Sequence, residues 1–306
     1  MGREFKLSII ILNFNTKALL KNCLLSIQKR LDEVEAQIIV VDNGSTDASC
    51  QMIKRYFPEV SLIENKENLG FAKGNNEAKD YCKGEYVLFL NSDTKLRKNT
   101  LKKVVKYLDE HKSIGALTCK ILLLDGRLDK DARRSFITPW IGFIHIFLKL
   151  DRVFPKSKFL AKYWYGFMPE DEIHEVDAIQ GAFFLTRRKV LDQVGWFDEE
   201  YFLDGEDIDL CWKIKKKGWK IIYYPLVSIL HLKGASKGKN ASLGGKKLRS
   251  VSFSEKLKYR MAGVNSMEIF IKKRLWNEYP LPLIIIVLIG VKALKFIRII
   301  KVLISG

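Results

Sequence analysis

Short runs of apolar, mostly β-branched residues recur along the first third of the chain, at positions 7–12, 37–41, 60–64 and 86–90. They are too short and too uniformly apolar for amphipathic helices and read as strands buried on both faces. Between them, apolar residues three and four apart predict helices near residues 17–30, 47–57 and 72–83. Apolar strands alternating with helices of this length imply a doubly wound α/β domain, its mostly parallel sheet covered by helices on both faces. Sheets of this kind bind ligands at the carboxyl ends of their strands. Those ends are Asn13-Phe14-Asn15, Asp42-Asn43-Gly44-Ser45-Thr46-Asp47 and Asn91-Ser92-Asp93-Thr94, so three polar clusters converge on one crevice.

The pattern then loosens. Residues 122–175 hold Arg133-Arg134 and a run of aromatics, Trp140, Phe143, Phe147, Trp164 and Tyr165. Strand-like order resumes at 176–186, and 219–224 and 227–231 read as the last strands. Beyond Gly234 the composition turns to Gly, Ser and Lys, as in a linker, before basic, amphipathic helical patterns fill the rest. The expected division is an α/β domain over 1–235 and a basic helical extension over 236–306.

A helix is predicted from just after Gly205 to Gly218. On it Asp207 shares the face of Leu210, Cys211 and Ile214, the stripe that normally enters a core. A carboxylate there is costly unless it has a partner or a task. Acidic residues in a first helical turn also complement the helix dipole, which accounts for Glu206 and Asp209, and Asp209 has Lys213 four residues on.

Composition narrows the setting. Five dispersed cysteines, never in a Cys-x-x-Cys pair, argue for reduced thiols in a cytoplasmic protein and against a disulfide framework or a zinc site. No signal peptide is expected, because residues 1–6 lead straight into a strand. The net charge of +18 is uneven: residues 231–306 carry 16 Lys or Arg against 3 Glu, the first 230 only 37 against 32. The longest uncharged stretches, 135–148 and 279–291, fall short of the roughly 20 residues a spanning helix needs. Over 292–304 the cations Lys292, Lys295, Arg298 and Lys301 share one half of a helical wheel, while Phe296, Ile297, Ile300, Leu303 and Ile304 take the other. This reads as a helix lying in an anionic membrane interface, with docking on the α/β domain or a dimer partner as the other reading. Aromatics interleaved with cations would suit nucleic acid; the aliphatic half argues against it.

Each strand-end motif has an ordinary reading as a turn, cap or glycine loop. Each also has a chemical one. Asp42 can accept from the imide N–H of a uracil or thymine. Residues 68–76, with Asn68, Gly70, Lys73 and Asn75, let backbone and a helix N-terminus approach phosphate. Asn91 and Asp93, two residues apart, can grip a divalent cation that bridges a diphosphate. His231 is one of four histidines and ends an apolar strand.

In combination and in this order, the elements resemble glycosyltransferase family 2, inverting nucleotide-sugar transferases with a GT-A fold, over about residues 5–236. To those already quoted the resemblance adds Gly181-Ala182-Phe183-Phe184, Val194-Gly195-Trp196-Phe197-Asp198-Glu199 and Glu206 to Trp212. Leu90-Asn91-Ser92-Asp93 and Arg133-Arg134 look like the bacterial rhamnosyltransferase-like branch. The resemblance implies a nucleotide-sugar site of Asn13, Asn15, Asp42, Asn43, Ser45, Asn68, Gly70, Lys73, Asn75, Asn91 and Ser92. It implies Asp93, His231 and Asn91 around Mg²⁺ or Mn²⁺, with Asn91 departing from the family's first aspartate. Gly181, Ala182, Phe183, Trp196 and Asp198 fall on the acceptor side, Asp207 matches the acceptor-activating base, and Glu206 supports it. The implied reaction moves a sugar from a UDP- or dTDP-linked donor, such as dTDP-rhamnose, to a glycan acceptor. That acceptor is expected to be lipid-linked, at the inner face of a bacterial membrane, in cell-surface polysaccharide synthesis. A nucleotidyltransferase shares the sheet type, but the Gly-rich loop with Arg and Lys such enzymes carry after the first strand is missing.

Overall fold

A computed structural model describes residues 5–233, 242–243, 246–247 and 253–304. The predicted apolar runs become β1 (Leu7–Asn13), β2 (Ala36–Asp42), β3 (Ser61–Glu64) and β4 (Tyr86–Asn91), all parallel neighbours in the order β3-β2-β1-β4. The crossovers are α1 (Lys17–Gln28), α2 (Ser49–Tyr56) and α3 (Phe71–Asn76). Ile9, Ile10, Ile11, Ile39, Val40 and Leu88 have no exposed surface, as both-face burial requires.

The sheet continues through β5 (Thr94–Leu96), β6 (Ile114–Leu122), β7 (His174–Glu175), β8 (Phe183–Arg187) and β9 (Lys220–His231). β8 inserts antiparallel between β4 and β6, β6 and β9 are parallel, and β5 and β7 pair antiparallel with β9. The helices after β5 are α4 (Thr100–Glu110), α5 (Pro139–Gly142), α6 (Leu150–Val153), α7 (Arg188–Val194) and α8 (Glu206–Lys216). A π-turn, Phe143–Leu148, joins α5 to α6.

Several elements differ from the sequence expectation for visible reasons. The helix expected to reach residue 83 stops at Asn76. There the Asn75 side-chain amide donates to the Phe71 carbonyl and Asn76 turns out to the Phe197 backbone, drawing both side chains into local bonds near the helix end. Of 176–186 only the last part is strand; the rest bends across the sheet end, pinned by the Arg134–Ala178 bridge. The two final strands are one, β9, with its register to β6 shifting between Cys119 and Lys120.

The linker expected beyond Gly234 lies mostly outside the described residues, apart from a small hairpin, β10 (Ser242–Leu243) and β11 (Lys246–Lys247). Two helices follow, α9 (Phe253–Phe270), prolonged by a π-turn over Ile271–Leu275, and α10 (Leu281–Ile304). Phe270, Ile271, Leu275, Ile284 and Val291 are buried within the same core as the sheet. Ion pairs reinforce the packing: Lys273 to Asp198 at 2.7 Å and Arg274 to Asp209 at 2.6 Å. Asp209 therefore does not pair with Lys213, whose ammonium donates to the Trp196 carbonyl at 2.5 Å. Among the described residues no helix is long and apolar enough to cross a membrane.

Candidate active site

Strand register assembles the site. In the parallel ladder Asn13 lies opposite Asp42, and Leu12 opposite Asn91. In the antiparallel pair Thr94 lies opposite His231, which brings the Asp93 and His231 side chains together. A cleft of about 970 Å³ opens above these strand ends.

At the β1–β2 end, Asp42 is almost fully buried. One of its oxygens accepts from the Asn13 amide at 2.7 Å and the other from the Ser45 backbone N–H at 2.7 Å. Ser45 in turn receives the Asn15 N–H, and the Asn15 carbonyl oxygen accepts the Thr46 N–H. Asp42, Asn13, Asn15 and Ser45 thus brace one another, and none of them lines the cleft. The groups that do are Asn43, Asn68 and Gly70. Asn43 donates to the Gly70 carbonyl at 2.9 Å, and Asn68 accepts the Gly70 N–H. Gly70 has φ of +86°, and a Cβ there would lie 2.5 Å from the Phe202 carbonyl oxygen, so only glycine lets the two loops meet. Lys73 points to solvent and Asn75 into its own helix, so neither reaches the cleft.

At the β4 end Asn91 and Ser92 line the cleft, the Ser92 hydroxyl bonded to Thr16 at 2.9 Å. Asp93 turns beneath it, 3.3 Å from His231 Nε2, while His231 Nδ1 bonds Asp129 at 3.0 Å. Burial opposes the charged imidazolium, but hydrogen bonds and charge from Asp129 and Asp93 outweigh it and raise the His231 pKa to about 9. Asp129 also receives Gln180 and Lys233, and Lys233 pairs with Asp131.

The donor chemistry suits a small divalent cation. A cation could take the place of the His231 Nε2 proton between that nitrogen and Asp93, and a carboxylate on the far imidazole nitrogen, here Asp129, is the usual partner of a ligating histidine. No group of three or more His, Cys, Asp or Glu is gathered for a metal among the described residues.

Asp207 enters from the opposite wall. It lies at the start of α8, 7% exposed, with Leu210, Cys211 and Ile214 fully buried on its face. The carboxylate on the apolar stripe does have a partner: Arg134 donates to it at 2.6 Å inside the cleft. Arg133, next in sequence, points away and ties down the Met168 and Pro169 carbonyls. Glu206, Gly181 and Ala182 also line the cleft. Three residues expected on the acceptor side do not. Phe183 is interior strand, Trp196 packs edge-on against Phe89 with its indole N–H on Asp192, and Asp198 is held by Lys273. Size and apolarity take the first two into the core, and a cation of the extension takes the third. Arg134 stands out in the sequence only as half of Arg133-Arg134, with no partner or role attached, and Asp129, Asp131, Gln180 and Lys233 carry no individual sequence signal.

Solved structures share this architecture. The chain superposes with a TM-score of 0.55 on mannosyltransferase PcManGT from Pyrobaculum calidifontis in complex with GDP-Man and Mn²⁺, at 18% identity, covering 89% of this chain and 66% of that one. The TM-score is also 0.55 to GalNAc-T7 with UDP, GalNAc and Mn²⁺, at 17% identity over 76% of this chain and 44% of that one. The fold is that of GT-A glycosyltransferases. Residues 8–195 match Glycosyl transferase family 2; the chain belongs to that family and is a glycosyltransferase. Its relatives include the N-acetylglucosaminyl-diphospho-decaprenol L-rhamnosyltransferase of Mycobacterium tuberculosis, 28% identical over 68% of this chain and 70% of that protein. Rhamnosyltransferase WbbL of Escherichia coli is 27% identical over 65% of this chain and 74% of its own length.

Proposed function

We propose that the protein transfers a hexose, with inversion, from a nucleoside-diphosphate sugar to a hydroxyl of a lipid-linked glycan at a membrane surface. The observation that carries this reading is the cleft itself. It sets Asn43 after β2 and Asn91 and Ser92 at the end of β4 in one cavity with Glu206 and Asp207, so donor and base would face each other across one reacting centre. Asn43, Asn68 and the Gly70 backbone would hold the nucleotide, with Asp42 keeping their loop in place through Asn13 and Ser45. Asn91 and Ser92 would meet the ribose or diphosphate. Asp93 and His231 would hold Mg²⁺ or Mn²⁺, which when bound supplies positive charge to the leaving diphosphate.

In the transfer step the acceptor oxygen forms a bond to the anomeric carbon from the face opposite the nucleotide. The bond from that carbon to the diphosphate oxygen breaks, its electron pair leaving with the nucleoside diphosphate. Asp207 takes the acceptor proton, and Arg134 fixes which way that carboxylate faces. Attack from the far face inverts the configuration, and no enzyme nucleophile is required. A rhamnosyl donor is favoured by the relatives named above.

The extension would hold the enzyme at the inner face of the cell membrane: α10 exposes Ile285, Ile286, Ile289, Phe296 and Ile297 beside Lys292 and Arg298. Titrating the full-length protein with dTDP-rhamnose, UDP-glucose, UDP-N-acetylglucosamine and GDP-mannose in the presence of Mn²⁺ tests the reading. One donor should bind and hydrolyse slowly; binding of none would refute it.

A further inference from the structure

The cleft has a second arm that neither a nucleotide nor a soluble glycan explains. From Asp207 it runs between the helical segment 139–147 and α10, walled by Ile137, Phe143, Phe147, Ile286, Ile289 and Gly290. The cavity residues contributed by 137–147 and by 286–294 include no charged side chain. Sugar hydroxyls buried against such walls would lose their hydrogen bonds to water and gain none. A hydrocarbon chain would lose nothing and would bury apolar surface.

The arm is open at its far end. Phe143, Phe147, Ile286 and Ile289 line the cavity and are also about half exposed or more, at 48%, 49%, 65% and 62%. They belong to the same surface as Trp140, Leu148, Ile285 and Phe296. Among the described residues, segments 140–159 and 281–300 contribute 16 of the 23 exposed large hydrophobics. Exposed Lys149, Lys292 and Arg298 stand beside them, as suits an anionic leaflet rather than an apolar protein partner. One end of the arm therefore meets the reacting carboxylate and the other a face built for lipid. At Gly290 the two walls touch, since a Cβ there would lie 3.1 Å from the Phe147 ring, and this contact bounds the arm on one side.

We infer that this arm holds the hydrocarbon chain of the acceptor, so that a lipid-borne substrate enters sideways from the membrane with its head group led to Asp207. A bilayer lipid is the poorer occupant, because the arm ends at the catalytic carboxylate and not in a blind pocket. The inference rests on the glycosyltransferase reading of the same cleft.

The test uses full-length protein in solution, without vesicles, and prenyl phosphates below their micelle concentration. Farnesyl phosphate should bind at least about 100-fold more tightly than dimethylallyl phosphate, since ten further carbons enter the arm and each buried methylene is worth several-fold. Dodecyl phosphate in parallel separates a preference for branched prenyl chains from one for straight alkyl chains. Either chain binding in the arm supports the inference. Phe147→Gln and Phe143→Gln, which each put an amide in its wall, should each weaken farnesyl phosphate at least about 10-fold while UDP or dTDP still binds. Affinity that ignores chain length overturns the inference. So does equal weakening by Ile300→Ser on the outer face of α10, which would place the chain on the surface. Loss of nucleotide binding by the parental protein would instead overturn the glycosyltransferase reading itself.

Discussion

Replacing Arg274 with Met should destabilise the protein far more than an exposed ion pair would suggest. Asp209 has no exposed surface, and both its oxygens are used: Arg274 donates to them at 2.6 and 3.0 Å, and the Tyr201 hydroxyl donates at 3.1 Å. Removing one partner of a buried pair leaves an uncompensated charge, at a cost of about 3–5 kcal/mol. The Arg274 side chain is 22% exposed, so water can reach the site and the lower end of that range applies. About 3 kcal/mol corresponds to a fall in melting temperature of about 5 °C for a chain of 306 residues. The exposed Lys272–Glu268 pair, four residues apart on one helix, provides the contrast, and Lys272→Met should cost roughly 0.3–0.5 kcal/mol. Adding Asp209→Asn to Arg274→Met should recover most of the loss, because the stranded charge is then gone. Thermal and urea denaturation of the four proteins measure this directly. Equal melting of Arg274→Met and Lys272→Met, or simple additivity in the double variant, would refute the claim that the extension neutralises a charge inside the catalytic helix.

Removing residues 280–306 should abolish co-sedimentation with anionic vesicles at low salt, since each of the four cations on α10 is worth about 1 kcal/mol near such a surface. Nucleotide binding should survive that cut, and equal vesicle binding by both forms would assign α10 to packing alone. Excess chelator should stop transfer, and Asp93→Ala should weaken donor binding much more than Asn91→Ala; full activity in chelator would remove the metal from the account. Gly70→Ala should cost about 1–3 kcal/mol of strain and lower nucleotide affinity, measured by calorimetry, because the Phe202 loop must retreat. An unchanged affinity would show that this contact does not shape the donor site.

The parallel half of the sheet was legible because β1, β2 and β4 are buried on both faces and bounded by polar turns, which leaves few other readings for Ile9 to Ile11 or Val40 and Val41. The same pattern located the strand ends, and with them the cleft. The stripe of α4, Leu101, Val104, Val105 and Leu108, lies in a stretch for which no helix is predicted from the sequence, and β6 and β8 are placed by long-range pairing that no local window contains. Asp207 could be singled out because a carboxylate stood where the helix wanted an apolar residue. That Arg134 rather than Arg133 is its partner could not be read, since the contact spans 73 positions and originates in an irregular segment. Asp42 shows the opposite limit. Its strand end was correctly located, but whether the carboxylate faces a ligand or its own loop depends on Asn13 and the Ser45 amide. The extension reads as a separate basic module in the sequence because charge dominates its composition. In the structure Phe270, Ile271, Leu275, Ile284 and Val291 enter the common core, Phe270 packing edge-on against Trp212 of α8 while Arg274 binds Asp209 on the same helix.

In the proposed mechanism Asp207 accepts the proton of the attacking hydroxyl. Asp207→Asn keeps the size of the side chain and an oxygen for Arg134 while removing the base. With the donor identified by titration, the variant's donor affinity and transfer rate should be measured on the same folded preparation. Donor affinity should be unchanged and transfer slowed about 10²- to 10⁴-fold; transfer at the parental rate would rule Asp207 out as the base.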